Sequence, residues 1–305
     1  QKLKKKLLQS VNKVLEHGKL FLGPEVQILE KKISKFLNTK YVLGVSSGSS
    51  AIYLALKASG IKKGDEVIVS PVSWIMPINA ITLCGAKPVF ADISDDLNIN
   101  PKSVEEKITK KTKAILAMHY AGHMCDMKQL NNIAKKNKLF IIEDSAQAFG
   151  ASINKKKSGT FSLAAGFSSN PMKPFNGFGE SGFMVTNNKK LFNKAKILRH
   201  AGTTSDYRKK LITNNCIEPS LNHKMDTINA SMLLVSLDNY YNKMKKIRKY
   251  AKIYENKLSS KISYQKINTN EVSGRYVFPI IVNTRNKLMQ YLKNHGIETK
   301  IFNLP

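Results

Sequence analysis

The sequence predicts an α/β fold in which helices cover both faces of a mostly parallel, seven-stranded sheet. From about residue 40, short apolar runs rich in β-branched residues alternate with stretches of helical period. The apolar runs are nearly continuous, which is typical of strands buried on both faces. The predicted strands are residues 41–45, 66–70, 87–92, 113–120, 139–144, 163–169 and 182–187, and the helices between the early ones include 50–59, 103–108 and 127–137.

The second half of the chain predicts a smaller domain. A helical pattern runs from residue 222 to about 258, and a predicted strand at 276–282 and a helix at 286–294 follow it. We place a boundary inside the long helix, with a large domain at 1–240 that begins with a helical arm and a smaller α+β domain at 241–305. The chain starts at Gln1 and stops abruptly at Pro305, so we expect a fragment whose second domain is incomplete.

The composition argues against a membrane or secreted protein. No run of 18 or more apolar residues occurs, so no membrane span is predicted. The basic start of the chain lacks the apolar stretch and cleavage site of a signal peptide. The three cysteines are scattered and form no motif, which favours a reducing, cytoplasmic setting.

The net charge of +29 raises the question of a nucleic-acid partner. Only five of the 50 basic residues are arginine, the residue that base reading and bidentate phosphate contacts favour. The lysines are spread along helical stretches, which indicates a solvated surface, so no nucleic-acid binding is predicted. The positive field would still attract a substrate that carries a diphosphate.

Ligands bind beyond the carboxyl ends of the strands in sheets of this kind, and polar segments follow the predicted strands there. Residues 45–51 hold four serines and Gly48 at the start of a predicted helix, where free backbone N–H groups favour a phosphate. Serine is also a common helix N-cap, so the segment alone leaves both interpretations open.

Two carboxylates, Glu143 and Asp144, stand at the end of the predicted strand 139–144. An acid there costs desolvation unless a partner compensates for it. Asp144 could cap a helix, or it could pair with the protonated pyridine nitrogen of a pyridoxal 5′-phosphate (PLP) ring. The residues themselves favour neither interpretation.

Lys173 follows a predicted strand, a serine-rich turn and Pro171, and precedes a glycine-rich loop. A lysine held among apolar or cationic groups can have its pKa lowered enough to form an imine. The loop at 177–182 matches the dinucleotide pattern GxGxxG, but it leads into a strand, whereas that pattern must open a helix. A nicotinamide site is therefore not predicted.

His119 and His123 lie four residues apart, a spacing that can bind a metal on a helix. Here they fall at a strand end and in a loop, and no third ligand is evident. The sequence predicts no metal site.

Taken in order along nearly the whole chain, these segments resemble the DegT/DnrJ/StrS-type nucleotide-sugar aminotransferases, which have the type I PLP-transferase fold. The resemblance implies a three-layer α/β/α domain, PLP as cofactor and a homodimer with shared active sites. The segments that carry it are residues 22–26, 64–69, 85–90, 143–147 and 198–202.

The resemblance also implies roles for single residues. Lys173 would bind the cofactor as a Schiff base and move protons, and Asp144 would pair with the pyridine nitrogen. Trp74 matches the aromatic position that stacks on the ring, and Gln147 the position near the ring hydroxyl.

The phosphate-binding positions of the family are matched by Ser49, Ser50 and Ser168, and Asn222 matches a position that reaches the phosphate of the partner subunit. Residues 170–174 depart from the usual aromatic-Pro-Thr-Lys-Asn pattern, since Asn170 begins them and Pro174 ends them. The usual Arg after Asn222 is a lysine here.

A related branch that removes a sugar hydroxyl has histidine at the position of Lys173, so this chain resembles the aminating members. The implied reaction moves an amino group from glutamate to a ketosugar linked to a nucleotide diphosphate, for surface polysaccharide, lipid A or related amino-sugar synthesis. The alternatives are a dehydratase or isomerase of similar sugars, and a regulatory or nucleic-acid-binding protein on the same fold.

Overall fold

The structure is a computed structural model that describes residues 1–206, 211–258, 260 and 262–301. The end of the predicted second domain, residues 302–305, lies outside the described residues. No helix in these ranges is both long enough and apolar enough to cross a bilayer.

The described residues form helices and strands in alternation over the first 200 residues. The helices are α1 (Lys2–His17), α2 (Pro24–Leu37), α3 (Gly48–Ala58), α4 (Ile75–Leu83), α5 (Pro101–Glu106), α6 (Met127–Lys136), α7 (Lys189–Arg199), α8 (Thr227–Lys257) and α9 (Arg285–Asn294). The strands are β1 (Tyr41–Val45), β2 (Glu66–Val69), β3 (Lys87–Phe90), β4 (Thr112–Met118), β5 (Phe140–Asp144), β6 (Ser152–Ile153), β7 (Lys156–Lys157), β8 (Ala164–Ser168), β9 (Gly182–Thr186), β10 (Thr203–Asp206), β11 (Leu211–Cys216), β12 (Ser263–Tyr264), β13 (Glu271–Val272) and β14 (Ile280–Ile281).

The central sheet has seven strands in the order β1-β9-β8-β5-β4-β2-β3. The pairs among β3, β2, β4, β5 and β8 are parallel. β9 runs antiparallel to both of its neighbours, β8 and β1. The predicted mostly parallel seven-stranded sheet is therefore confirmed.

Alternate residues of each strand face opposite layers, so the sheet has a core on both sides. Ile142 packs with α3, α4 and α7 on one face. Its neighbour Ile141 packs on the other face with α5 and α6, and that face continues onto α2 and α8. The result is the three-layer α/β/α arrangement that the near-continuous apolar runs predicted.

The seven predicted strands of the sheet are confirmed, with ends that differ by at most two residues. The predicted strand at 276–282 was too long, because only Ile280–Ile281 pairs there, with β12. Pro279 cannot donate to a ladder, and the N–H of Tyr276 is used elsewhere, in a bond to the carbonyl of Ala121.

Residues 271–276, called here the C-terminal strap, pack against β6 and the turn at Gly122. β13 pairs with β6, and the N–H of Gly274 donates to the carbonyl of Gly122. Gly122 has φ +89°, and a Cβ there would lie 2.6 Å from the nitrogen of Arg275. Only glycine permits this close approach of the two backbones.

A buried histidine holds the strap by ion pairing. His123 is 1% exposed, its Nδ1 lies 2.7 Å from Glu271 Oε1, and its Nε2 lies 3.3 Å from Asp96 Oδ2. Burial alone would lower the pKa of His123, but the hydrogen bonds to Asp96 and Glu271 outweigh it and raise the pKa to about 9. The imidazolium therefore joins the strap to the loop before residue 98.

We predict that this contact stabilises the fold below pH 6.5 and that its contribution is lost as pH rises through about 9, because the folded-state pKa lies above the ordinary value of 6.5. The shift corresponds to at most about 3 kcal/mol. Urea unfolding of wild type and His123→Gln should therefore show a stability gap that shrinks by roughly that amount across this window. His295→Gln, an exposed site, is the control. A gap that is independent of pH would contradict the prediction.

Candidate active site

A cavity of about 500 Å³ opens at the carboxyl ends of β5 and β8, beside the N-terminus of α3. Asp144 is the last residue of β5, Ser168 the last of β8, and Lys173 follows five residues later. All three line the cavity, together with Ser49, Trp74 and Gln147. The structure thus brings together six of the eight residues expected at the site.

The N-terminus of α3 forms one wall. Ser47 caps the helix, since its hydroxyl accepts from the N–H of Ser50. A Cβ on Gly48 would lie 2.6 Å from the Cβ of Ser168, so glycine lets β8 approach the helix start. This wall presents hydroxyls and free helix N–H groups to the cavity, which suits a phosphate.

Ser50 does not line the cavity. Its hydroxyl lies 2.9 Å from His223 Nδ1 and 2.9 Å from the hydroxyl of Ser46. Ser47 and Gly48 face the cavity instead. Capping by Ser47 therefore does not exclude a phosphate site in this segment, because Ser49 also lines the cavity.

The two neighbouring acids have different surroundings. Glu143 is fully buried and accepts hydrogen bonds from His119, the N–H groups of Gly159 and Phe161, and the Ser162 hydroxyl. Burial alone would raise the pKa of Glu143, but these bonds, His119 first, outweigh it and lower the pKa. Glu143 is thus held by the protein itself.

Asp144 is 4% exposed and accepts a hydrogen bond from the N–H of Ala146. Burial raises its pKa, and the charge of Lys173 offsets part of that effect. The following residues form turns rather than a helix, so the alternative of a helix cap is wrong. A poorly solvated carboxylate that lines a cavity is suited to a cationic ring nitrogen.

Lys173 is distinguished by its surroundings. Its amine lies 4.3 Å from the centroid of the Tyr276 ring, and burial lowers its pKa while the charges of Asp144 and Glu180 oppose that shift. A lowered pKa increases the fraction of neutral amine that can attack a carbonyl. The cavity therefore contains a lysine suited to imine formation and a carboxylate that interacts with it electrostatically.

Trp74 and Gln147 both line the cavity but differ in their exposure to solvent. Trp74 lines the cavity directly before α4 and is 65% exposed. Gln147 is buried, and its Oε1 accepts from the N–H of Ala121 at 2.7 Å. That bond fixes the amide beside the turn that receives the C-terminal strap.

Asn222 lies outside the cavity and is exposed. Its Oδ1 accepts from the N–H of Lys224 at 3.3 Å. The residue that precedes α8 is Asp226, so Asn222 does not cap that helix. Asn222 therefore does not line the cavity of its own chain.

The two histidines considered for a metal both face carboxylates. His119 Nε2 lies 2.9 Å from Glu143 Oε2, and His123 lies between Asp96 and Glu271. Among the described residues, no cluster of three His, Cys, Asp or Glu side chains is arranged to hold a metal.

Sequence reasoning did not single out several residues of the cavity wall, among them Glu180, Tyr276 and Lys300. Glu180 lies in the glycine-rich loop that follows Lys173, and that loop was a sequence signal from which its place near the site could have been inferred. Tyr276 and Lys300 come from the C-terminal part of the chain, and no local pattern marks them. The strap places Tyr276 through the bond between its N–H and Ala121.

A model of the DegT/DnrJ/EryC1/StrS aminotransferase family matches residues 1–305, the whole chain. The chain belongs to this family. It is therefore an aminotransferase, and the residues around the cavity fit the PLP that this family uses. Solved structures of relatives contain that cofactor as PLP or in its aminated form.

Similar proteins cover nearly all of the chain. The pleiotropic regulatory protein of Geobacillus stearothermophilus is 33% identical over 99% of this chain and 81% of its own length. The dTDP-3-amino-3,6-dideoxy-alpha-D-galactopyranose transaminase of Aneurinibacillus thermoaerophilus is 34% identical over 97% and 80%. The crystal structure of DesV from S. venezuelae superposes with a TM-score of 0.92 at 30% identity and covers 97% of this chain and 79% of that one.

We predict that Asp144→Asn lowers turnover by about 100-fold or more, because an amide cannot keep a pyridine nitrogen protonated. The apoprotein should unfold at the same or a higher temperature than wild type, since a poorly solvated carboxylate is removed. Steady-state kinetics and thermal melts measure the two effects. Asp126→Asn, at the exposed cap of α6, is the matched control. Near-normal turnover in Asp144→Asn would remove this residue from the mechanism.

Proposed function

We propose that this enzyme transfers the amino group of glutamate to a ketosugar linked to a nucleotide diphosphate. The net change exchanges the amino group of glutamate for the carbonyl oxygen of the sugar, which leaves a ketoacid and an aminosugar. The observation that supports the proposal most directly is that Lys173 and Asp144 face one cavity. One wall of that cavity, the N-terminus of α3, suits a phosphate. The product would serve polysaccharide, lipid A or related amino-sugar synthesis.

In this proposal the site residues divide the binding of PLP between them. Ser49 and Ser168, with the N-terminus of α3, would hold the phosphate. Asp144 would keep the pyridine nitrogen protonated, Trp74 would stack on the ring, and Gln147 would lie near the ring hydroxyl. The bound ring would supply an electron sink for the carbanion that deprotonation leaves.

Lys173 would act as the proton carrier. Its neutral amine removes a proton from the amino-bearing carbon of the donor and delivers a proton when the sugar is aminated. Burial lowers the pKa of this amine, so the base form is populated closer to neutral pH. The ring of Tyr276 shields one side of the amine from water.

The substrate class follows from the relatives and from charge. Relatives include transaminases of dTDP-linked and UDP-linked sugars. The net charge of +29 would raise the encounter rate with a diphosphate. Buried, unpaired thiols at Cys84 and Cys125 suit a reducing compartment such as the cytoplasm.

Two rival functions are less well supported by the site. A dehydratase of the related branch would have histidine at position 173, whereas this chain has lysine. A purely regulatory role, suggested by the name of the Geobacillus relative, would not require a lysine and a carboxylate that face one cavity.

We also propose two domains, 1–240 and 241–305, with α8 shared between them.

We further propose a homodimer in which Asn222 of one chain serves the phosphate site of the other. The exposure of Asn222 outside its own cavity supports this arrangement. Two-fold symmetry would make both sites composite.

We predict that the protein incubated with PLP absorbs in the visible and that borohydride fixes the cofactor on Lys173. Mass spectrometry of a panel of amino-acid donors and nucleotide-linked ketosugars should show loss of glutamate matched by aminosugar formation. Lys173→Ala should abolish transfer and still bind PLP noncovalently. Label on another lysine, or sugar conversion that does not consume an amino donor, would overturn the proposal.

We predict that two inactive variants, Lys173→Ala and Asn222→Asp, restore activity when mixed and reassembled. The added carboxylate should inactivate by repelling the phosphate. Each mixed dimer would have one intact site and one site with both defects, so activity should return to about half of wild type per dimer. Activity of Asn222→Asp alone, or a fully active monomer in sedimentation, would exclude shared sites.

A further inference from the structure

Residues 169–181, the lysine loop, connect β8 to β9 and carry Lys173. The loop is anchored just after the lysine by Phe175, which is 1% exposed and stacks on Phe149 with ring centroids 4.5 Å apart. Asn176 is the next residue, and its side chain points to α8 rather than to the core. The position of the Lys173 backbone therefore depends on the hydrogen bond from its own N–H to the carbonyl of Asn170 and on the contacts made at 175 and 176.

Lys243 of α8 makes the second of these contacts. Its Nζ donates to Asn176 Oδ1 at 2.6 Å and, over a longer 3.4 Å, to the main-chain carbonyl of Lys173. The neighbouring turn of α8 is fixed, since Tyr240 and Met244 are buried in the same core as Phe175. One ammonium group thus connects a rigid helix to the residue that bears the reactive amine.

The energetics of this contact are unusual for a structural lysine. The Lys243 side chain is half-buried, and burial lowers its pKa. Among the described residues, no carboxylate lies within 4 Å of its ammonium, and the acceptors it reaches are neutral. A methionine at this position would bury the same stem without a desolvated charge, so fold stability alone does not favour the lysine.

We infer that Lys243 is a positioning residue for Lys173, acting through Asn176. Pro174, which directly follows Lys173, has neither an amide side chain nor an N–H to hold the loop. The amide two residues later, Asn176, is the group that Lys243 reaches. The contact fixes the origin of the Lys173 side chain, and small displacements of a proton carrier cost large factors in rate.

The inference rests on the proposed role of Lys173, so its test begins with wild type. The apoprotein is mixed with PLP over a range of pH, the cofactor is fixed with borohydride, and peptide mapping gives the rate of labelling at Lys173. This readout requires neither turnover nor a sugar substrate. Label on another lysine would refute the proposed function, whereas the effect of Lys243 is tested only once label is found at Lys173.

The variants are Lys243→Met, Lys243→Arg, Asn176→Ala and the double variant Lys243→Met/Asn176→Ala. Lys246→Met is the matched control, because Lys246 is an exposed lysine on the same helix. Thermal melts show whether each variant folds. If Lys243→Met does not fold, Asn176→Ala tests the same contact from the other side.

Lys243→Met should melt at or above the wild-type temperature, label Lys173 with an altered rate and pH profile, and lose about 10–100-fold in kcat with KM for the donor within about twofold. Lys243→Arg should recover most of the loss. The double variant should be no slower than the worse single variant, as expected for two residues that act through one contact. Unchanged labelling and kcat in both Lys243→Met and Asn176→Ala, or additive losses in the double variant, would overturn the inference.

Discussion

The burial of Asp144 is the constraint on which the site depends. Asp144 is 4% exposed, and the protein offers its carboxylate the N–H of Ala146 and the charges of Lys173 and His119. Glu143, one residue earlier and on the other face of β5, receives a histidine, two backbone N–H groups and a hydroxyl. Glu143 is thus satisfied within the protein, whereas Asp144 is poorly satisfied and lines the cavity, which supports the proposal that its carboxylate pairs with a ligand.

The strand geometry explains how two adjacent acids serve such different purposes. Successive side chains of a strand point to opposite faces, so Glu143 and Asp144 cannot share surroundings. Glu143 binds the loop that follows β7 and thereby fixes the end of β5. Asp144 then projects into the cavity from a strand end that cannot shift, which is the rigidity that an electrostatic partner of a ring nitrogen requires.

Much of this arrangement was predictable because its causes are local. The seven strands follow from apolar runs of the right length, and the cavity lies at the carboxyl ends of β5 and β8. The segments that hold Ser49, Asp144 and Lys173 were therefore singled out by their place at or after a strand, whereas the family resemblance supplied Ser168 and the role of each residue. The sequence predicted neither the place of Tyr276 in the site nor the salt bridges of His123. They depend on a strap that returns from more than 100 residues away, and neither periodicity nor spacing records such a contact. The sequence also did not predict that Ser47 lines the cavity while Ser50 does not, because that difference depends on the contact between the Ser50 hydroxyl and His223.

The chain has 50 basic residues, and the structure shows physically why one of them is suited to chemistry. Burial also lowers the pKa of Lys157 and Lys243, so a lowered pKa does not by itself identify a reactive amine. Lys157 donates to the carbonyl of Phe36 and lies over its ring, and Lys243 holds the lysine loop; neither lines the cavity. Lys173 combines the lowered pKa with access to a cavity, a carboxylate that interacts with it and a cavity wall, the N-terminus of α3, that suits a phosphate. We therefore assign the proposed reactivity of Lys173 to this combination, and we propose that Lys243 supports it by holding the lysine loop.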